Sequence, residues 1–155
     1  MRGSIELTTC LTATPVVKVF LGNEERGEVR LKQEHPFLMK GQRTQYAIYE
    51  VMTAKQQLIG TFQPHFMAVA KGYELVLPTY GTILDTTTIR EGYCVSIRGT
   101  TYEVRRGQQG FEYVIDDCVK MIVEVTHAIR LTPLQEIGDE EQLIAAMIAM
   151  KLAAT

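Results

Sequence analysis

Short runs in which apolar and polar residues alternate occupy most of the chain, and turn residues separate them. An alternation with a period of two is typical of β-strands that bury one face. We therefore predict about ten to twelve short antiparallel strands, which indicates a barrel or a sandwich. The β-rich runs cover residues 5–11, 16–21, 28–32, 44–52, 58–63, 65–70, 73–77, 80–84, 93–98, 101–105, 111–115, 119–125 and 127–132.

The stretch 139–153 is the one convincing helix in this pattern. Asp139 is the expected N-cap, with its carboxylate accepting the Gln142 amide as in a capping box. No residue between 143 and 150 has a polar side chain, so the helix is apolar on every face. A helix of this kind is buried on all sides.

The length of the apolar run decides what buries this helix. About 20 apolar residues are needed to span a bilayer, whereas Lys151 interrupts the run here. At a rise of about 1.5 Å per residue the helix is roughly 20 Å long, close to a strand of about six residues. We therefore predict a closed antiparallel β-barrel around a buried C-terminal helix, with no transmembrane segment. A helix that fills the barrel would leave no room for a ligand.

Two hairpins have a register that the sequence itself predicts. A two-residue loop at 99–100 would pair Val95 with Val104 and put the apolar side chains of both strands on one face. A three-residue loop at 116–118 would do the same for the next pair of strands. In both hairpins, the turn and the apolar pattern then agree.

Composition and charge fit one globular domain, residues 1–155, with 46% hydrophobic and 22% charged residues. The net charge of −2 provides no basic field, so nucleic acid is not an expected partner. Three cysteines without a CxxC pair would leave one unpaired under any disulfide scheme, which favours a reducing compartment. Because the N-terminal residues contain no continuous apolar signal segment, we expect a cytoplasmic location.

The order of these elements resembles the tubby C-terminal-like superfamily, and within it the LURP-one-related and bacterial tubby-like domains. The resemblance rests on YAIYE at 46–50 followed by LIGTF at 58–62, and on the closing run 139–150. It covers the chain from residue 16 onwards and implies a barrel of about twelve strands around an apolar C-terminal helix. Tubby-type domains bind phosphoinositides through a lysine and arginine pocket, for which this chain has no matching set. The cysteine-rich segment of the superfamily's scramblases is also missing here, so the fold carries over better than any activity.

No catalytic motif is found in the sequence. It contains no nucleophile with an adjacent base, no zinc-ligand spacing and no phosphate-binding glycine loop. We therefore expect a protein that is not an enzyme and that needs no cofactor and no metal ion.

The most suggestive polar set is basic and consists of Arg98, Arg105, Arg106 and Lys120. Arginines that project from one pair of strands would clamp a phosphate or an anionic lipid head group. Glu103 is predicted to lie on the same face between Arg98 and Arg105, so cross-strand ion pairs would also satisfy these charges.

Two functions from different classes remain open at this point. The first is a non-enzymatic binding or scaffold domain that contacts an anionic phospholipid or a protein partner on its outer face. The second is a small-molecule enzyme or a ligand-binding barrel whose site is not visible in the sequence. A basic cluster or an apolar surface patch favours the first, and a deep pocket with converging polar groups favours the second.

Overall fold

The computed structural model describes residues 16–32, 47–64, 72–97 and 99–154. These residues form a mainly β structure with one C-terminal helix, as predicted. The predicted strands at 5–11 and 65–70, and Arg98, lie outside the described residues. The elements are β1 (Val16–Leu21), β2 (Glu24–Lys32), β3 (Ile48–Thr53), β4 (Leu58–Pro64), β5 (Tyr73–Leu77), a 3₁₀ turn (Pro78–Tyr80), β6 (Thr82–Asp85), β7 (Thr87–Ile89), β8 (Gly92–Ile97), β9 (Thr100–Arg106), β10 (Phe111–Ile115), β11 (Cys118–Val125), β12 (Ile129–Pro133) and α1 (Asp139–Ala153).

All twelve described strands belong to one sheet, in the order β6-β5-β4-β3-β2-β1-β12-β11-β10-β9-β8-β7. Neighbouring strands are antiparallel, except that β1 and β12 run parallel with Val19 opposite Ile129. The prediction of a wholly antiparallel sheet is therefore wrong at this pair. Five antiparallel steps lead from β1 to β6, and five lead from β12 to β7. Because β1 and β12 are parallel, β6 and β7 also run in the same direction.

The two ends of the sheet are consecutive along the chain. Only Thr86 separates β6 from β7, and its backbone amide and hydroxyl both donate to the Tyr73 carbonyl oxygen. Residues 82–89 thus form one interrupted strand, which pairs with β5 in its first part and with β8 in its second. Among the described residues β6 and β7 are not paired with each other, so the closed barrel is not confirmed. We call the boundary between β5–β6 and β7–β8 the seam.

The β8–β9 hairpin has a different register from the predicted one. Val95 lies opposite Tyr102, and Ile97 lies opposite Thr100. The pairing is therefore displaced by two residues relative to the predicted pairing of Val95 with Val104. Because side chains alternate with a period of two, this displacement leaves every side chain on its predicted face.

The β10–β11 hairpin also closes differently from the prediction. Its loop contains two residues, Asp116 and Asp117, with φ angles of 49° and 63°. Positive φ at both positions is typical of the tight turn that matches the twist of a hairpin. A third loop residue is not needed, because Lys120 forms a bulge in β11 between the ladder positions of Val119 and Met121.

The start of α1 also differs from the sequence prediction. Gly138, in extended geometry, is the N-cap, and no side chain caps the helix. Asp139 is instead the first helical residue, and its carboxylate lies 3.6 Å from the Arg26 guanidinium. Gln142 does reach back, but its side-chain amide donates to the Ile137 carbonyl oxygen at 3.0 Å.

The curled sheet buries α1 on most sides, as its apolar sequence predicts. The helix packs against β2, β3 and β4 on one side and against β9, β11 and β12 on the other. Ala146, Met147 and Ala149 are fully buried there. Gly27 of β2 lies under the helix, since a Cβ there would be 3.1 Å from Leu143 Cδ2 and would also clash with the Met52 carbonyl oxygen of β3. None of the strands in these two groups borders the seam, and the seam side of the helix has a different environment.

Candidate functional site

A cavity of about 760 Å³ lies between α1 and the strands β5, β6, β8, β9 and β10, around the seam. Ile144, Ala145 and Ile148 form its helix side, and their spacing of one, three and four residues places them on one face. Ile144 is only half-buried, unlike Leu143 and Ala146 beside it, because this face meets the cavity instead of a strand. The expectation that a central helix leaves no room for a ligand is therefore wrong.

Apolar side chains form most of the cavity walls. Strands β5, β6, β8 and β9 supply the aliphatic side chains of Leu75, Leu77, Leu84, Val95 and Val104. Tyr102 and Tyr113 add a stacked pair, with ring centroids 6.0 Å apart. Ligand pockets commonly measure about 300–1,000 Å³ and combine apolar walls with a few polar groups. The cavity has both the size and the lining of such a pocket.

The end of the cavity beside the N-terminus of α1 is acidic and open. Asp139, Glu140 and Glu141 line it, and the Asp139 side chain is 75% exposed. Glu141 accepts a hydrogen bond of 2.9 Å from the Tyr113 hydroxyl. Burial, followed by the neighbouring Glu141 carboxylate, raises the pKa of Tyr113, so this phenol remains a donor at neutral pH. We call this end the acidic mouth.

The opposite end of the cavity is aromatic. Tyr93 lines the cavity, and its ring centroid lies 5.1 Å from that of Phe62 and 5.9 Å from that of Tyr73. These rings come from β8 on one side of the seam and from β4 and β5 on the other. Side chains therefore bridge the seam at this end, where the strands themselves are not paired across it. We call this group the aromatic floor.

Lys151 lies at the aromatic floor and is only 4% exposed. Its Nζ is 5.0 Å from the Tyr73 ring centroid and 6.0 Å from that of Tyr93. Lys151 follows Ile144 by seven residues, about two turns, so it belongs to the cavity face of α1. Within the part of the chain that the structure describes, Lys151 makes no hydrogen bond and no ion pair.

The ammonium of Lys151 therefore has aromatic faces around it but no counter-ion among the described residues. Burial raises the pKa of both Tyr73 and Tyr93, so these phenols are neutral and do not supply a negative charge. Burial also lowers the pKa of Lys151, because the charged form loses its hydration. Perturbed titratable groups next to a pocket are typical of functional sites.

Two of the basic residues predicted as an anion site lie on opposite faces of the sheet. Arg105 is half-buried, and its Nε lies 3.4 Å from Glu112 Oε1 on β10, not beside the predicted partner Glu103. Arg106, the next residue of β9, donates to the Leu152 carbonyl oxygen at 2.7 Å. Its guanidinium also lies 5.2 Å from the centroid of the Phe111 ring. Arg106 therefore fixes the C-terminal end of α1 to the sheet, where a cation also suits the helix dipole.

The remaining two members of that set do not join this pair. Lys120 is the bulge residue of β11 and donates to Gln135 at 2.5 Å. Arg98 lies outside the described residues. Among the described members, Arg105, Arg106 and Lys120 do not converge on one point, and the anionic head-group site stays a prediction.

A different charged network covers the outer face of β1 and β2. Glu28 is 4% exposed and accepts hydrogen bonds from Gln56 at 2.8 Å and from Arg30 at 2.7 Å. These two donors lower the pKa of Glu28, and Lys18 lies 3.5 Å away. The network joins β1 and β2 to the β3–β4 turn, and its charges satisfy one another.

The described residues contain no helix long and apolar enough to cross a bilayer. They also contain no group of three or more histidine, cysteine, aspartate or glutamate side chains placed to hold a metal ion.

The sequence predicted neither the cavity nor the position of Lys151. The helical period could have predicted the position of Lys151, since it places this residue on the same helix face as Ile144 and Ile148. The sequence interpretation treated Lys151 only as the residue that interrupts the apolar run. Nothing in the sequence marks Ile144 as facing a void, because an apolar side chain has the same sequence signature whether it meets a neighbour or a cavity.

Comparison with known proteins finds no matching family model, curated protein or solved structure. The resemblance to tubby-like domains therefore stays a prediction, and the function must be argued from the site itself.

Proposed function

We propose that this protein is a non-enzymatic binding protein and that it holds a small, mostly apolar molecule in the cavity beside α1. The observation that carries the proposal is a cavity of about 760 Å³ with apolar walls, next to a helix that is otherwise tightly packed. Small-molecule sites are generally concave, largely apolar and preformed, with few polar groups. The acidic mouth and the aromatic floor supply those polar groups at the two ends.

The binding of an anionic lipid on the outer face has weaker support. Arg106 is committed to the end of α1, and Arg105 has Glu112 as a partner. An anion that recruited Arg106 would compete with the hydrogen bond to Leu152. A protein partner or phospholipid on that face stays a prediction, whereas the cavity is a preformed volume for a small ligand.

For the fold, we propose a tubby-like barrel whose closure depends on the interrupted strand 82–89. The pairing of this strand with β5 and then with β8 supports the proposal, because one chain segment spans the seam. The aromatic floor supports it further, since Phe62 and Tyr73 touch Tyr93 across the seam. In this arrangement the cavity lies where the helix and the seam face each other.

A neutral environment-sensitive dye such as Nile red tests the proposed site. The dye should bind saturably with a blue-shifted emission, because the cavity walls exclude water. Ala145 lines the cavity, so Ala145→Leu should place its added atoms in part of that volume and weaken dye binding. Melting of this variant should change less than that of a variant enlarged away from the cavity, because part of the added volume has a void to enter.

Ala146→Leu provides the matched control on the neighbouring residue. Ala146 is fully buried and does not line the cavity, so the same enlargement should overpack the core and cost about 1–3 kcal/mol. The folded fraction of Ala146→Leu should bind the dye like the wild type. Equal dye binding by the wild type and Ala145→Leu, or no saturable binding by the wild type, would remove the proposal.

A further inference from the structure

We infer that the aromatic floor is a carboxylate site formed around Lys151, and that the ligand is an apolar chain with a single carboxylate at one end. A medium-chain fatty acid has this chemistry. The inference rests on the proposed function, since it specifies which class of apolar molecule the cavity holds.

The first support is the unsatisfied charge of Lys151. A lysine is almost never buried to this degree without a paired group, and Lys151 is 4% exposed. The described residues give it two tyrosine rings and no acceptor. Aromatic faces offset part of the lost hydration, but a buried charge is strongly favoured only when an opposite charge joins it. A ligand carboxylate would supply the missing partner.

The second support is the connection between Lys151 and the cavity. Tyr93 both lines the cavity and lies within 6.0 Å of Nζ, and Lys151 shares the helix face of the cavity residues Ile144 and Ile148. Among the described side chains, Arg26 Nε is the single nitrogen or oxygen that is both sealed from solvent and unpartnered. Lys151 Nζ is also unpartnered but is not among the sealed atoms, so it keeps a small accessible surface. Lys151 itself does not line the cavity, and Tyr93 is the residue that connects the two.

The third support is the charge difference between the two ends of the cavity. Glu141 and Lys151 are ten residues apart, which corresponds to roughly 15 Å along the helix. Three carboxylates line the acidic mouth, one of them 3.6 Å from Arg26, whereas the cation of Lys151 lies at the aromatic floor, so a ligand anion is attracted at the floor. An apolar chain between these ends would contact Ile144 and Ile148. The arrangement therefore selects one orientation, with the carboxylate inside.

The test compares dodecanoate with dodecanol as competitors for bound Nile red, below the micelle concentration of dodecanoate and below the solubility limit of dodecanol. The two probes share the apolar chain and differ in the head group. The wild type should bind dodecanoate about tenfold or more tightly than dodecanol, as expected when a hydrogen bond to a charged group is gained. In Lys151→Met this preference should disappear, while dodecanol binding should be retained.

Lys55→Met is the matched control, because Lys55 is exposed and does not line the cavity. It should keep the full preference for dodecanoate. Equal affinity of the wild type for the two probes would overturn the carboxylate inference and leave the apolar site standing; this comparison needs no variant to fold. Failure of both probes to displace the dye would overturn the proposed function as well. A preference that survives in Lys151→Met would place the anion elsewhere and also reject the inference.

Discussion

Replacement of Lys151 by methionine should stabilise the protein in the absence of ligand. The effective penalty for removing one ion from water in a protein interior is several kcal/mol. Two tyrosine rings at 5.0 and 6.0 Å from Nζ offset about 0.5–2 kcal/mol of this penalty, and the dipole at the C-terminal end of α1 offsets about 0.3–1 kcal/mol. Methionine retains the length and the apolar contacts without the charge. We therefore expect a gain of about 1–3 kcal/mol near pH 7, obtained as the difference of these terms.

The pH dependence of this gain follows from the pKa of Lys151. Burial lowers that pKa from its ordinary value of 10.5, so between the folded and unfolded pKa values the unfolded chain binds more protons. The contribution of Lys151 to the free energy of unfolding of the wild type must then rise with pH across that window, by at most about 1.4 kcal/mol per pH unit. Methionine does not titrate and contributes no pH dependence. The stability advantage of Lys151→Met should therefore shrink as the pH rises from 7 towards 10.

Urea unfolding of both proteins between pH 7 and 9.5 measures this difference directly. The raised pKa values of Tyr73 and Tyr93 affect both proteins and largely cancel in the comparison. In a chain of this size, 1 kcal/mol corresponds to about 2–4 °C in Tm, so a thermal scan provides an independent check. Lys55→Met, at an exposed position, should change stability by less than about 0.5 kcal/mol. A Lys151→Met protein that is less stable than the wild type at pH 7, or a difference that does not vary with pH, would refute the reasoning.

Four further substitutions test the packing of α1 and of the strands around it. Met147→Asp should abolish cooperative thermal unfolding, because an uncompensated carboxylate at this fully buried position costs several kcal/mol against a total of about 5–15. Gly27→Ala should lose about 1–3 kcal/mol in urea unfolding, because its Cβ would clash with the Met52 carbonyl oxygen on the neighbouring strand β3. Arg106→Ala should lose about 1.5–3 kcal/mol with its hydrogen bond to the helix end, whereas Arg105→Ala, which breaks a half-buried ion pair, should lose under about 1 kcal/mol.

Each of these predictions has a clear opposite result. A sharp, unchanged melting transition of Met147→Asp would mean that α1 does not organise the core. Wild-type stability of Gly27→Ala would mean that β2 and β3 do not approach as closely as described. An equal loss for the two arginine variants would remove the distinction between a residue that holds the helix and one that lies in an ordinary ion pair.

The strands and the helix could be predicted because their signals are local. Alternation at 16–21 and 73–77 gave the bounds of β1 and β5 that the structure has. The polarity-free run at 143–150 gave a helix buried on most sides. Local propensity misplaced the N-cap at Asp139, because a glycine in extended geometry serves equally well when an arginine side chain pairs with the acidic first turn.

The pairings between distant strands could not be predicted in the same way. Nothing in residues 16–21 specifies that β12 is the second neighbour of β1, because the two strands are far apart in the sequence and no local pattern links them. The bulge at Lys120 likewise changes the loop length without changing the apolar pattern. The cavity is harder still to predict from the sequence, because it forms where the strands do not pack against the helix. The burial of Lys151 could be seen only in the structure, since a charge at the end of an apolar run normally marks a solvent-exposed boundary.

The occupancy of the cavity by an apolar molecule is the central claim, and isoleucine methyl NMR tests it most directly. On titration with dodecanol, the methyl signals of the cavity residues Ile144 and Ile148 should shift saturably and show contacts to the alkyl chain. Ile83, which is 63% exposed, and Ile129, which belongs to β12 and is fully buried, serve as internal controls and should not respond. Saturable shifts confined to the cavity pair are the predicted result. Shifts at Ile83 without shifts at Ile144 and Ile148, or no response at any of the four, would contradict the account.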